Sequence, residues 1–212
     1  MHRGAVMALT RVNMRGRAAI SLFERIAGEP LAQRERLTDT IQLCLVKPGE
    51  SIFNQDDPHP YLYVVESGLL KLTYLRSDGE EWIKSFVVGG QFFASLSALA
   101  PTGCASFSAI AIEACRLEKI PFVALRDLAD ANLGWSRMIR NALMIFGERK
   151  ERRERQFLTL DREEHYRSLV REEPDLITRV PQKDLASYLG ITAVGLSRIA
   201  ARVRAEAGLN PG

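Results

Sequence analysis

Hydrophobic and polar positions change rhythm several times along the chain. Residues 19 to about 36, AISLFERIAGEPLAQRERL, read as helical. From about 40 the runs become short, β-branched and aromatic: IQLCLVKPGESIF, YLYVVESGLLKLTYLRSDGEEWIKSFVVGGQFF and SFSAIAIEACRLEKI. Turn signals punctuate them at Gly49, Gly68, Gly79 and the Gly89–Gly90 pair. Many short strands at roughly 8–12 residue spacing predict an antiparallel sandwich or barrel. SDGE between two strand-like runs predicts a hairpin.

The rhythm returns to helical after Pro121. Residues 122 to 129 suit a short helix, and NLGWSRMIRNALMIFGERKERRERQFLTL, from 132, reads as one long helix. Trp135, Ile139, Ala142 and Phe146 form an apolar stripe at four-three-four spacing. Such a stripe needs a partner. The expectation is the same helix of a second copy across a two-fold axis; the alternative is packing on the chain's own strands. The charged run ERKERRER is expected to be a solvated face or a hinge. DREEHYRSLVRE, from 161 to 172, predicts another helix with Asp161 as N-cap, and EPDL breaks it. The expected organisation is a disordered tail at 1–18, a sensor domain at 19–130, a dimerisation helix at 131–158 and a helical domain at 159–212.

That last domain contains VPQKDLASYLGITAVGLSRIAARVR, which meets the steric demands of a helix-turn-helix one by one. Two helices that cross closely need a small residue at the crossing, and Ala186 stands there. Four residues on, Gly190 supplies a turn residue that tolerates positive φ. Thr192 can cap the second helix through a backbone N–H. Leu185, Leu189, Ile191, Leu196 and Ile199 supply the apolar positions. The remaining face holds Ala193, Val194, Ser197, Arg198, Ala201 and Arg202, with no acid. A face of that size and charge fits the major groove, about 12 Å wide. Double-stranded DNA is therefore the expected partner. Arg198 is the candidate for a bidentate contact to guanine. Lys183, Arg202 and Arg204 are candidates for phosphates, and Ser197 and Thr192 for either.

Charge supports this placement. The 212 residues carry a net charge of +3, yet residues 179–204 alone sum to +4. A basic patch confined to one end is the footprint of a local polyanion site. Cys44, Cys104 and Cys115 are too few and scattered for a disulfide framework, which points to a reducing cytoplasm. With histidine only at His2, His59 and His165, no metal-ligand spacing is present, and no metal or cofactor is expected. No apolar run approaches the roughly 18 residues of a membrane span. The start is basic, with no acid before Glu24, and Met7 or Met14 is a candidate true start.

On LVKPGESIF, YLYVVESGLLKL, VVGGQFF and VPQKDLASYLGITAVGLSRI, the chain resembles the bacterial regulators related to the cAMP receptor protein and the fumarate-nitrate reductase regulator. The resemblance covers roughly residues 20 to 204. It implies an α+β fold with an N-terminal antiparallel β-roll (a cyclic-nucleotide-binding-like jelly roll), a long dimerisation helix and a C-terminal helix-turn-helix domain with little or no wing. It further implies a cytoplasmic, homodimeric transcription regulator, with RNA polymerase and a small-molecule effector as further partners and a palindromic operator as target.

The departures are informative. On the family's phosphate-binding cassette, the glutamate position falls on Ser95 and the arginine position on Ala105, leaving Ser106 alone. A buried cyclic phosphate would lose its charge-assisted partner. The degenerate pocket, framed by Gly90, Phe92, Phe93, Ser95, Leu96, Ala105, Ser106 and Phe107, is thus expected to fill itself or to take a less charged ligand; the effector is unknown. The recognition helix opens with Ala193, Val194 and Gly195 where many members place an acid, so Val194 is expected to read thymine methyls. An adaptor that has lost DNA binding and a metal-dependent cupin-like enzyme are the competing readings. The strand region offers the second one histidine, His59.

Overall fold

The computed structural model describes residues 15–101 and 103–206. Of the expected tail, residues 1–14 lie outside the described residues, as do 207–212, where a wing would follow. The first helix, α1 (Arg17–Ala27), begins before its apolar pattern does. Gly16 offers no side-chain cap, and a residue a hundred positions away replaces it: the Glu118 carboxylate accepts the Ala19 N–H at 2.7 Å. Burial pushes the Glu118 carboxyl up from its ordinary value, and the N–H groups of Ala19, Ala18 and Gly16 partly offset this.

Helicity does not run unbroken to 36. Gly28, left-handed at φ 79°, ends α1 by donating to the Glu24 carbonyl, and α2 starts anew at Arg34–Thr38. Pro30 lies in the break, where its fixed φ and missing donor do no harm.

Eight strands follow: β1 (Gln42–Val46), β2 (Ser51–Phe53), β3 (Tyr61–Ser67), β4 (Leu69–Leu75), β5 (Glu81–Val88), β6 (Phe92–Phe93), β7 (Ser108–Ala111) and β8 (Cys115–Pro121). They form two four-stranded antiparallel sheets, ordered β1-β8-β3-β6 and β2-β7-β4-β5. The expected hairpin is β4–β5, turning through Gly79. Gly68 is the corner where the chain leaves one sheet for the other in a single residue. Its φ is 105°, and an added Cβ would stand 2.6 Å from Cys115 Sγ and 2.7 Å from the Ala114 carbonyl oxygen. No other side chain fits that corner without moving β8.

The remaining elements are α3 (Phe122–Ala131), α4 (Leu133–Thr159), α5 (Arg162–Glu172), α6 (Pro174–Arg179), α7 (Gln182–Leu189) and α8 (Ala193–Glu206). Asp161 caps α5 in a capping box with Glu164. EPDL ends α5, but Pro174 at once opens α6, the first-turn position proline favours. Among the described residues no helix is long and apolar enough to cross a membrane.

Three apolar clusters hold these parts together. One joins α1, α3 and α4 to the β1-β8-β3-β6 sheet around Phe23, Leu125, Trp135 and Met138. A second fills the roll. The third is the core of the C-terminal helices and includes Leu69 of β4, so this domain is seated on the roll. Polar contacts reinforce the seat. Lys71 Nζ lies 3.0 Å from Asp184 Oδ1, and Arg179 makes a two-pronged pair with Glu113 at 2.9 and 2.7 Å.

His165 sits in this third region with no exposed surface. Burial, aided by the Arg153 and Arg162 guanidiniums, lowers its pKa to about 4. An unfolded imidazole titrates near its ordinary value, so between that value and 4 the unfolded chain binds more protons. The contribution of His165 to stability is complete above roughly pH 6.5 and declines as pH falls, losing about 2 kcal/mol by pH 5. Urea denaturation across this range should show the slope, and His165→Leu should flatten it to the part left by His59, whose pKa burial also lowers.

Candidate nucleic-acid interface

The two helices of the expected motif are α7 and α8. Ala186, 2% exposed, sits at their crossing, where a larger side chain would force them apart. Gly190 takes φ 68° and ψ 38°, donates to the Ala186 and Ser187 carbonyls, and so ends α7. Ile191 N–H returns to the Ala186 carbonyl at 3.0 Å. Thr192 Oγ1 then accepts the Gly195 N–H at 3.1 Å, opening α8 as its sequence suggests. Leu185, Leu189, Leu196 and Ile199 are buried between the helices.

That packing leaves Thr192, Ala193, Val194, Ser197, Arg198, Ala201, Arg202 and Arg204 on the outer face of α8, with Lys183 exposed at the start of α7. Val194 is 62% exposed. Lys183, Arg198 and Arg204 form no ion pair among the described residues, so their charge is open to a polyanion.

The local excess of charge is smaller than the sequence suggests. Arg202 is held by Glu163 of α5 at 3.0 and 2.5 Å, and Glu163 also binds Arg167, which reaches Glu206. Arg179 is committed to Glu113. Two of the five cations counted toward the basic patch are therefore partnered by acids distant in sequence. Both guanidinium contacts pull the Glu163 carboxyl below its ordinary value.

The apolar stripe of α4 faces inward. Trp135 has no exposed surface; its ring meets Phe23 edge-on and its indole N–H donates to the Ala32 carbonyl at 2.7 Å. Ile139, Ala142 and Phe146 pack on the same core, Phe146 edge-on to Phe92 at 5.2 Å. These four residues serve the chain's own fold, because the sheet offers α4 an apolar face that the sequence pattern does not reveal. The outward side of α4 carries Leu143, Met144 and Leu158, exposed by 50%, 63% and 72%. The charged run is not simply solvated either. Arg149 lies over Phe92 and Arg153 over Tyr188, at 5.5 and 3.8 Å.

The cassette residues divide between two faces. Successive residues of a strand point to opposite sides. Phe93 therefore enters the roll while Phe92 packs outward under α4, and Leu96 is 47% exposed. Gly90 lies at an exposed turn. Ser95, Ala105, Ser106 and Phe107 do come together: Ser95 Oγ accepts the Ser106 N–H at 3.0 Å and meets Ser106 Oγ at 3.4 Å. Ser95 and Ser106 thus satisfy each other. Behind them the roll is filled by aromatic rings. Phe53 stacks on His59 at 4.6 Å and lies 5.6 Å from Phe107, and Tyr63 stacks on Phe93 at 5.1 Å. Tyr63 OH meets His59 Nε2 at 2.8 Å, and burial pushes the phenol well above its usual range. Lys84 Nζ, whose pKa burial lowers, stands 4.9 Å over Phe107. Phe53, His59, Tyr63 and Lys84 adjoin the cassette residues in this filled interior and were missed by motif reading; alternation along β2 and β3 is the signal that would have found the aromatic ones.

Comparison with known proteins supports the architecture. Residues 44–132 match the model of the cyclic nucleotide-binding domain. The nitrogen fixation regulation protein FixK of Bradyrhizobium diazoefficiens is 26% identical over 169 residues, 71% of this chain and 66% of that protein, just under two thirds of its length. The structure of FixK2 from Bradyrhizobium japonicum superposes with a TM-score of 0.64 at 19% identity, covering 79% of this chain and 86% of that one. A CRP/FNR family transcriptional regulator from Eubacterium rectale gives 0.64 at 16% identity, covering 82% and 83%.

Proposed function

We propose that the protein is a cytoplasmic, homodimeric, sequence-specific DNA-binding transcription regulator whose roll does not take a cyclic nucleotide, a reading supported by the match of residues 44–132 to the cyclic nucleotide-binding domain, the similarity to FixK and the fold shared with CRP/FNR regulators. It acts by binding and not by catalysis. The observation that carries the reading is the acid-free outer face of α8, raised on a helix pair whose crossing, turn and cap are all satisfied.

On this reading Arg198 reaches a guanine edge, Val194 meets thymine methyls, and Ala193 permits close approach. Lys183, Arg204, Thr192 and Ser197 hold the backbone. Arg202 contributes only if it leaves Glu163, so its role is secondary. Two recognition helices engage half-sites about 34 Å apart, which requires a dimer. The outward face of α4, with Leu143, Met144 and Leu158, supplies the apolar surface for it. A filled roll with Ser95 and Ala105 at the cassette positions leaves a cyclic phosphate no guanidinium. Any effector of the roll would act by shifting the population of α4 pairings and so the spacing of the recognition helices.

Fluorescence anisotropy with an operator duplex tests the reading. Affinity should fall steeply with salt. Arg198→Ala should cost about 1–3 kcal/mol on the preferred site and much less on unrelated duplexes. Equal losses on both would make Arg198 a backbone contact.

A further inference from the structure

Where α4 ends and the recognition unit begins, two arginines and a histidine meet with polar atoms that nothing in the chain satisfies. Among the described residues, five buried side-chain polar atoms lack a hydrogen bond, and four belong to this cluster: Arg153 Nη1, Arg162 Nη1, and both ring nitrogens of His165. Orphaned polar atoms are rare in folded proteins, and grouping of this kind marks a place built for a ligand.

Two helices supply the members, Arg153 from α4 and both Arg162 and His165 from α5. Arg153, on α4, donates through Nη2 to the Tyr188 carbonyl at 2.5 Å and lies flat over the Tyr188 ring. Arg162 opens α5, rests 4.7 Å over Phe157, and brings its guanidinium carbon to 3.8 Å from where Gly190 would carry a Cβ. His165, one turn further along α5, is fully buried with its ring 5.8 Å from Tyr188. Neither Arg153 nor Arg162 has a carboxylate at ion-pair distance among the described residues, whereas Arg167, Arg171, Arg179 and Arg202 on the neighbouring helices all do. Glu173, the acid that approaches from the end of α5, acts at longer range on Arg149 and Tyr188. Positive charge is thus concentrated and partly desolvated without its counter-charge, a costly arrangement unless an anion completes it.

We propose that Arg153, Arg162 and His165 form a binding site for a small oxyanion of the phosphate class, as free phosphate or as the phosphoryl group of a small metabolite. Guanidinium N–H groups arriving from α4 and α5, with an imidazole N–H one turn further along α5, suit a tetrahedral oxyanion better than a planar carboxylate. The site lies outside the interior of the roll, against its outer face through Tyr188 and Phe86. It ties α4 to α5 and to the end of α7, so occupancy sets the angle between the long helix and the recognition helix. This regulatory consequence rests on the DNA-binding reading; the site itself does not. An anion between the guanidiniums offsets the charges that add to burial in keeping His165 unprotonated, so its binding raises the His165 pKa.

The test is calorimetric titration of the full chain with inorganic phosphate and with glycerol 3-phosphate, against chloride at matched ionic strength. Saturable binding is expected. Arg153→Met and Arg162→Met should each weaken it about tenfold or more, and Arg126→Gln, on the exposed face of α3, should not. The His165 imidazole NMR signal should titrate at higher pH when phosphate is present. Tighter binding of the phosphomonoester assigns a metabolite; equal affinities assign free phosphate. No saturable binding, binding unchanged in both arginine variants, or an unmoved His165 titration would overturn the proposal. Operator affinity measured with and without phosphate separates the two claims. Binding with no effect on DNA would uphold the site and overturn its regulatory link, whereas a protein that takes phosphate but no DNA would leave the site standing and sink the function.

Discussion

Leu143→Glu combined with Met144→Glu is expected to make the protein monomeric and to lower its affinity for a palindromic operator by at least about a hundredfold. Both side chains stand on the outward face of α4, half or more exposed, and no element among the described residues covers them. A two-fold interface repeats each residue against its partner copy, so the double variant sets four carboxylates against one another in an apolar seam. Losing the dimer also removes the second half-site from simultaneous engagement. Sedimentation and operator binding read the two effects separately. The variant should keep its native circular dichroism, because neither residue belongs to the core. Phe146→Glu is the contrasting case: it would place a charge against Phe92 and damage the fold itself. A double variant that stayed dimeric would move the interface off this face.

Trp135→Ala is expected to cost about 3–5 kcal/mol, the largest stability loss of any single truncation proposed for this chain. The indole is fully buried, meets Phe23 edge-on and donates to the Ala32 carbonyl between α1 and α2. Truncation therefore leaves a cavity and an unpaired carbonyl at the point where α1 is fastened to α4. Thermal unfolding should shift down by roughly 6–20 °C, on the rough scale of 2–4 °C per kcal/mol for a chain of this length. A loss under about 1 kcal/mol would mean that the α1–α4 contact closes over the gap.

Much of this architecture is legible in the residues themselves. Strand alternation, turn glycines and the small-residue crossing at Ala186 are local signals, and the structure places all of them as their chemistry demands. What escaped reading is non-local. Glu118 caps α1 from the far end of the roll, and no spacing rule connects it to Ala19. The α4 stripe was legible as a stripe but not by partner: periodicity reveals that Trp135 is buried and Phe146 half-buried, and only the fold reveals against what. Charge behaves likewise. Arg179 and Arg202 count toward a basic patch in the sequence, yet Glu113 and Glu163 approach them in space and neutralise them. Conversely, ERKERRER reads as a solvated run, while Arg153 inside it is drawn under Tyr188 beside Arg162 and His165. Within the cassette, motif alignment located Ser95 and Ser106 but not the rings of Phe53 and Tyr63 that fill the space behind them.

The most direct test of sequence-specific DNA recognition through α8 is selection of genomic fragments by the purified wild-type protein and by Arg198→Ala, each with and without cAMP and cGMP. The expected result is an enriched palindrome with half-site centres one helical turn apart, about 34 Å, unaffected by either cyclic nucleotide and lost or relaxed in the variant. Absence of any enriched sequence, or enrichment that appears only with cAMP, would contradict it.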